Sequence, residues 1–168
     1  MPIVISAYRR RKNTIPRWTC CRLKTAMTDI SAEHVFPVRV YYEDTDAGGV
    51  VYHSNYLRFA ERARTELLRD FGIDHQSLLA DDGLMFAVRR CEAEYVLPAH
   101  LDDALDVRTR CIESSAASFW LEQLVQRGGE TLVEMKVRLV CLKPGGRPAR
   151  IPPFLRSALD RAAAHTKH

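Results

Sequence analysis

No stretch of this sequence stays apolar for the roughly 18 positions that a membrane-crossing helix needs, so no transmembrane segment is expected. The chain also lacks the short signatures of several enzyme classes. It has no G-x-S-x-G elbow, no Walker loop, no H-E-x-x-H and no G-x-G-x-x-G. Serine-triad hydrolysis, phosphoryl transfer and zinc hydrolysis therefore lose their main support. The five cysteines, Cys20, Cys21, Cys91, Cys111 and Cys141, are odd in number and contain no C-x-x-C pair, which argues against a zinc or redox site. Cys91, Cys111 and Cys141 sit in apolar, strand-like runs and read as small buried thiols, a pattern that fits a reducing, cytoplasmic compartment. No other metal-ligand spacing occurs, and neither a metal nor a cofactor is expected.

Acidic residues are missing from residues 1–27, which hold Arg9, Arg10, Arg11, Lys12, Arg17, Arg22 and Lys24. The formal net charge of +4 is a property of this extension, because residues 28–168 carry 18 basic against 21 acidic side chains. The apparent nucleic-acid signature thus belongs to the tail, and no nucleic-acid partner is expected for the domain. No continuous apolar run follows Arg9–Lys12, as a signal peptide requires. An Arg-rich, acid-free composition also fits a transit peptide, although serines are few. The alternative is an unstructured extension, or a start assigned upstream of Met27, which opens an ordinary sequence. The expected organisation is a disordered basic extension over 1–33 and one domain over 34–168. That length can bury a core without disulfide or metal staples.

Periodicity sets the elements. Val38, Val40 and Tyr42 alternate with Arg39 and Tyr41, as a strand does, and Glu43–Gly49 follows as a loop. A helix is expected from Ser54 to Phe71, capped by Ser54 or Asn55 and ended by Gly72. Tyr56, Ala60, Ala63, Leu67 and Phe71 form its apolar stripe, widened by Leu57, Phe59 and Leu68. A polar segment, Asp74–Gly83, has room for a helical turn or two. The period then switches to two: Phe86–Val96, Leu105–Cys111, Phe119–Val125 and Val133–Cys141 read as strands, with a Gly128-Gly129 hairpin turn before the last. Phe154–Ala164 is helix-like, with Leu155, Ala158, Leu159 and Ala162 on one side. Strands with one apolar face need a partner layer, and the single apolar helix supplies it. The expected fold is α+β: an antiparallel sheet of about five strands curled around one long helix, the hot-dog architecture. Its open strand edges predict a homodimer or homotetramer.

Polar residues concentrate in Tyr41-Tyr42-Glu43-Asp44-Thr45-Asp46-Ala47-Gly48-Gly49-Val50-Val51-Tyr52-His53-Ser54-Asn55-Tyr56-Leu57. This segment, continued by Glu61-Arg62-Ala63-Arg64-Thr65-Glu66, closely resembles the 4-hydroxybenzoyl-CoA thioesterase family. Within that family it is similar to the bacterial acyl-CoA thioesterases linked to the Tol-Pal system (the YbgC group). Weaker similarity runs through Glu94-Tyr95 and Leu101-Asp102-Asp103 to Arg147-Pro148, and so spans about residues 35–155. The resemblance implies hydrolysis of an acyl-CoA, or of an acyl group on acyl carrier protein. It places the catalytic carboxylate on Asp46 and gives the amide of His53 the task of polarising the thioester carbonyl.

The residues suit that chemistry. A thioester carbonyl is electrophilic and its thiolate leaves readily, so one carboxylate suffices. Asp46 could attack it directly or deprotonate a water. Gly48 and Gly49 let the backbone approach a substrate closely. The helix start presents free N–H groups and a positive dipole end to a developing oxyanion. Each feature also has a structural reading. Aspartates in a Gly-rich turn serve as turn or capping residues, the role expected of Asp44. Glu61 is the rival acid, mounted on the helix, although Arg62 and Arg64 beside it suit a salt bridge. Tyr42 and Asn55 are candidate substrate-shell residues, with packing and capping as their alternatives. Arg89, Arg90, Arg147 and Arg150 could hold CoA phosphates. A non-catalytic module that binds acyl-CoA or acyl carrier protein at the envelope uses the same groove, and the two readings differ in thiol release.

Overall fold

The structure, a computed structural model, describes residues 33–164. Apart from Glu33, the basic extension, with Cys20, Cys21 and Met27, lies outside the described residues, and so does the expectation that it is disordered. The strands are β1 (His34–Arg39), β2 (Met85–Tyr95), β3 (Ala104–Ser114), β4 (Ser118–Arg127) and β5 (Glu130–Leu142). The helices are α1 (His53–Asp70), α2 (His75–Asp82) and α3 (Pro153–Ala164). One antiparallel sheet runs β1-β3-β4-β5-β2, and α1 packs across β1, β3 and β4. This is the hot-dog arrangement that the periodicity predicts.

The α1 stripe makes the core. Tyr56, Phe59, Ala60, Ala63, Leu67 and Leu68 are all buried. Removing Phe59 or Leu68 from water contributes about 1.5–3 kcal/mol each. Two alanines between them let the helix sit close to the sheet. Opposite, Val133, Met135, Val137, Leu139 and Cys141 of β5 are buried in alternation, as expected. Gly128 and Gly129 both have positive φ, 57° and 91°, which a two-residue hairpin turn with the sheet's own twist requires. The helix ends as Gly72 predicts. Gly72 N–H donates to the Arg69 carbonyl at 2.8 Å and Ile73 N–H to that of Leu68 at 2.9 Å, a Schellman pair. The polar segment 74–83 forms α2, whose first turn is capped by Asp74 accepting from Ser77 N–H at 3.0 Å.

Four local expectations change. Leu57 is 39% exposed, because it lies on the side of α1 that faces away from β1, β3 and β4. Cys91 is exposed rather than buried, because β2 is an edge strand that α1 does not cover and is open on both faces beyond Val88. Tyr42 does not continue β1. The chain leaves the strand at Arg39 and winds into a 3-10 turn over Tyr42–Asp44, leaving Tyr42 82% exposed. The cap of α1 is Tyr52, which makes no side-chain cap bond, while Ser54 and Asn55 lie inside the first turn.

Candidate active site

The loop between β1 and α1 is a small hairpin built on its aspartates and glycines. Asp44 is buried, and its Oδ2 accepts the Tyr41 N–H at 2.9 Å, closing the 3-10 turn. The Asp44 carbonyl then accepts two donors from the helix start, Tyr52 N–H at 2.9 Å and Asn55 Nδ2 at 2.8 Å. Between these anchors Thr45 pairs with Val51, Asp46 N–H donates to Val50 O at 3.0 Å, and Gly49 N–H donates to Asp46 O at 3.0 Å. Gly49 has φ +75°, the left-handed conformation that closes such a loop. Asp46 is exposed at the tip, where its Oδ1 accepts the Gly48 N–H at 2.7 Å. A Cβ on Gly48 would stand 3.0 Å from that same oxygen, so any larger residue there would push the Asp46 carboxylate from its place.

Val51 hydrogen-bonds to Ala99 O at 2.9 Å, and Val50 bridges His100, so a second loop backs the first. The helix starts two residues later. Asn55 N–H turns back to Tyr52 O at 2.8 Å, whereas the N–H groups of His53 and Ser54 have no acceptor among the described residues. Beside them lies a cleft of about 270 Å³ lined by Val51, His53, Tyr56, Tyr95, Val96, Leu97 and Pro98. His53 packs against Tyr52 with ring centroids 4.4 Å apart and planes tilted by 54°, and stands edge-on to Tyr95, whose hydroxyl donates to the His53 carbonyl at 3.2 Å. The Tyr56 hydroxyl accepts from Ala99 N–H at 2.8 Å. Burial raises both phenols above their usual value, so both stay protonated at neutral pH. The cleft is therefore apolar on its walls, with unsatisfied backbone donors at one end.

The expected site residues separate into groups. Asp46, Gly48 and Gly49 share the hairpin tip, and His53 lies on the cleft. Asn55 is buried beneath them, holding the loop to the helix. Tyr42 points to solvent, and Asp46 is not among the residues lining the cleft. Glu61 is exposed and pairs with Arg64 on its own helix. No group of three or more His, Cys, Asp or Glu positioned for a metal occurs among the described residues. The sequence reading missed Tyr95 and Tyr56 as cleft walls.

A family model of the thioesterase-like superfamily matches residues 40–159. The chain belongs to that superfamily. Among its members, the acyl-CoA thioesterase YbgC of Haemophilus influenzae is 44% identical over 124 residues, covering 73% of this chain and 91% of the relative. The acyl-CoA thioester hydrolase YbgC of Escherichia coli is 46% identical over 110 residues, covering 65% of this chain and 81% of the relative. In structure, a probable thioesterase from Bartonella henselae superposes with a TM-score of 0.70 at 41% identity, over 71% of this chain and 99% of that one. The hairpin, the helix start and the cleft all fall within the superfamily match.

Proposed function

We propose that this thioesterase-like chain hydrolyses acyl-CoA to a free acid and CoA. The observation that carries the reading is the hairpin itself. It mounts an exposed carboxylate, Asp46, on a rigid turn that runs within a few residues into a helix start with two vacant N–H donors. In this reading the thioester carbonyl oxygen lies against the N–H groups of His53 and Ser54, where charge developing on oxygen is stabilised. Asp46 either attacks the carbonyl carbon, forming an acyl-Asp46 anhydride that a water then hydrolyses, or takes a proton from a water that attacks directly. In both routes the C–S bond breaks and the thiolate leaves to be protonated as the CoA thiol. Gly48 N–H orients the carboxylate by holding Oδ1, which leaves Oδ2 for the reaction. The acyl group lies along the walls formed by Tyr56, Tyr95, Val96 and Leu97. Gly48, Gly49 and the Asn55 tie act by shape. Tyr42, so exposed, contributes as a contact to the carrier portion.

A homodimer or homotetramer, acyl carrier protein as an alternative carrier, a cytoplasmic setting and a link to the Tol-Pal system belong to the same reading. Their support is the open β2 edge and the resemblance of the D-T-D-A-G-G segment. One observation favours a second reading, a module that binds acyl-CoA without cleaving it: Asp46 stands outside the cleft lining, with one oxygen already engaged. Thiol release from a panel of acyl-CoAs, followed with a disulfide dye, separates the two. Hydrolysis should be measurable and should fall by about 10²–10⁴-fold in Asp46→Asn, the loss typical of a removed general base. Glu61→Gln should keep most of the activity. Binding without release from any chain length would establish the module instead.

A further inference from the structure

Tyr95 ends β2 and forms one wall of the cleft. Its hydroxyl donates to the His53 carbonyl oxygen at 3.2 Å. Its ring stands edge-on to both His53, at 6.3 Å, and Tyr56, at 5.8 Å. A carbonyl in the first turn of a helix is already served by the N–H four residues on, so the backbone does not need this second donor. The same peptide unit carries the His53 carbonyl and the Ser54 N–H. Conjugation across the C–N bond links the two ends, and a donor on the oxygen makes the N–H more positive. Ser54 N–H is one of the two vacant donors at the helix start, and His53 N–H is the other. The strand end and the helix start are thus joined at the peptide that a thioester oxygen would meet.

We propose that Tyr95 is a positioning residue for thioester hydrolysis, its hydroxyl anchoring and polarising the His53–Ser54 peptide so that the first helical N–H groups point at the thioester carbonyl. This rests on the acyl-CoA hydrolysis reading above. Tyr56 is a buried counterpart: it accepts from Ala99 N–H, and Ala99 O in turn accepts from Val51 N–H. That chain fixes the residues just before the helix, while Tyr95 fixes the first peptide within it. Tyr95 is 46% exposed, so Tyr95→Phe removes a hydroxyl without opening the core.

The experiment compares wild type and Tyr95→Phe by acyl-CoA kinetics, thermal unfolding and the backbone amide proton shift of Ser54. The expected result is a kcat lower by about tenfold, less than the ~10²–10³-fold loss of a direct oxyanion donor. KM should stay within about twofold, the melting temperature should be nearly unchanged, and the Ser54 amide proton should move upfield. An active wild type with Tyr95→Phe at full kcat would overturn the proposal alone. An unshifted Ser54 amide would do the same, as would a loss confined to KM. A wild type that hydrolyses no acyl-CoA would instead sink the functional reading on which the proposal stands.

Discussion

Three aspartates within and beside one loop show how position divides identical side chains. Asp44 is buried and its Oδ2 accepts the Tyr41 N–H, so its carboxylate builds the turn instead of standing at the loop's tip. Asp46, two residues on, is exposed and holds only the Gly48 N–H. Asp103 supports the loop from behind. Its Oδ2 accepts His100 N–H at 2.8 Å and meets the Arg127 guanidinium at 2.9 Å, which secures the turn whose His100 bridges Val50. Partial burial alone would raise the Asp103 carboxyl. The His100 N–H and Arg127 outweigh that and hold it below its ordinary value of 3.8. A carboxyl depressed in the native state adds stability that is fully present above its unfolded value and disappears as the pH falls through the native one. Asp103→Asn should therefore be less stable than wild type at neutral pH, with the gap closing as the pH drops below 3.8. Urea unfolding across a pH series measures that gap, and one independent of pH would refute the assignment.

Packing of α1 on the sheet depends on a polar node as well as on its apolar stripe. Gln123 of β4 is fully buried; its Nε2 donates to Ala60 O and to Thr109 Oγ1, each at 3.0 Å. Its Oε1 accepts from the buried Arg64 guanidinium at 2.6 Å, and Arg64 also pairs with Glu61. One amide thus ties α1 to β3 and β4 and satisfies part of a buried charge. Gln123→Leu keeps the volume but strips Arg64 of its sheet partner, so the unfolding free energy should fall by about 1–3 kcal/mol, readable in urea. Arg64→Met with Gln123→Leu should recover part of that loss, because an apolar pair replaces a half-broken polar one. Much of this level was legible in the chain. The steps of four, three, four and four from Tyr56 to Phe71 mark the helix, and Gly72 marks its end. The strict alternation from Val133 to Cys141 marks the best-covered strand. Gln123 interrupts an otherwise apolar alternation with Phe119, Leu121 and Val125, a visible sign of a buried polar contact. What alternation cannot encode is which strand lies at an edge, and so Cys91 reads as buried when it is exposed. Nor can it show a chain turning out of the sheet, and so Tyr42 reads as a strand residue when it belongs to a turn. The hairpin tip with Asp46 and its glycines was readable as a motif. The cleft wall of Tyr95 depends on a contact between residues 42 positions apart and was not.

At the scale of the molecule, the unresolved demand is the edge formed by β2. This strand is 11 residues long, and Val88, Tyr95, Val96 and Leu97, on and just beyond it, are each about two-fifths to one-half exposed. Proteins protect a long apolar edge by covering it, charging it or pairing it. Here α1 lies over β1, β3 and β4, so no described helix covers the far half of β2. Arg89, Arg90, Glu92 and Glu94 charge its middle, with Arg90 and Glu92 paired, but leave Val88 and the end at Tyr95–Leu97 apolar. We propose that this edge is covered by pairing with a second copy. An isologous, antiparallel contact along β2 would extend the sheet across two chains and bury the same patch on each. Because Tyr95 closes both that strand and the cleft, the cleft would then border the interface, and hydrolysis would depend on assembly. Sedimentation at micromolar concentration should give twice the chain mass or a higher even multiple. Val88→Lys places a charge on the half-exposed edge, away from the cleft lining, and should shift the protein towards monomer and lower thioester hydrolysis in parallel. A wild type that sediments as a monomer while hydrolysing acyl-CoA at full rate would show that the edge is tolerated uncovered and that one chain holds the whole site.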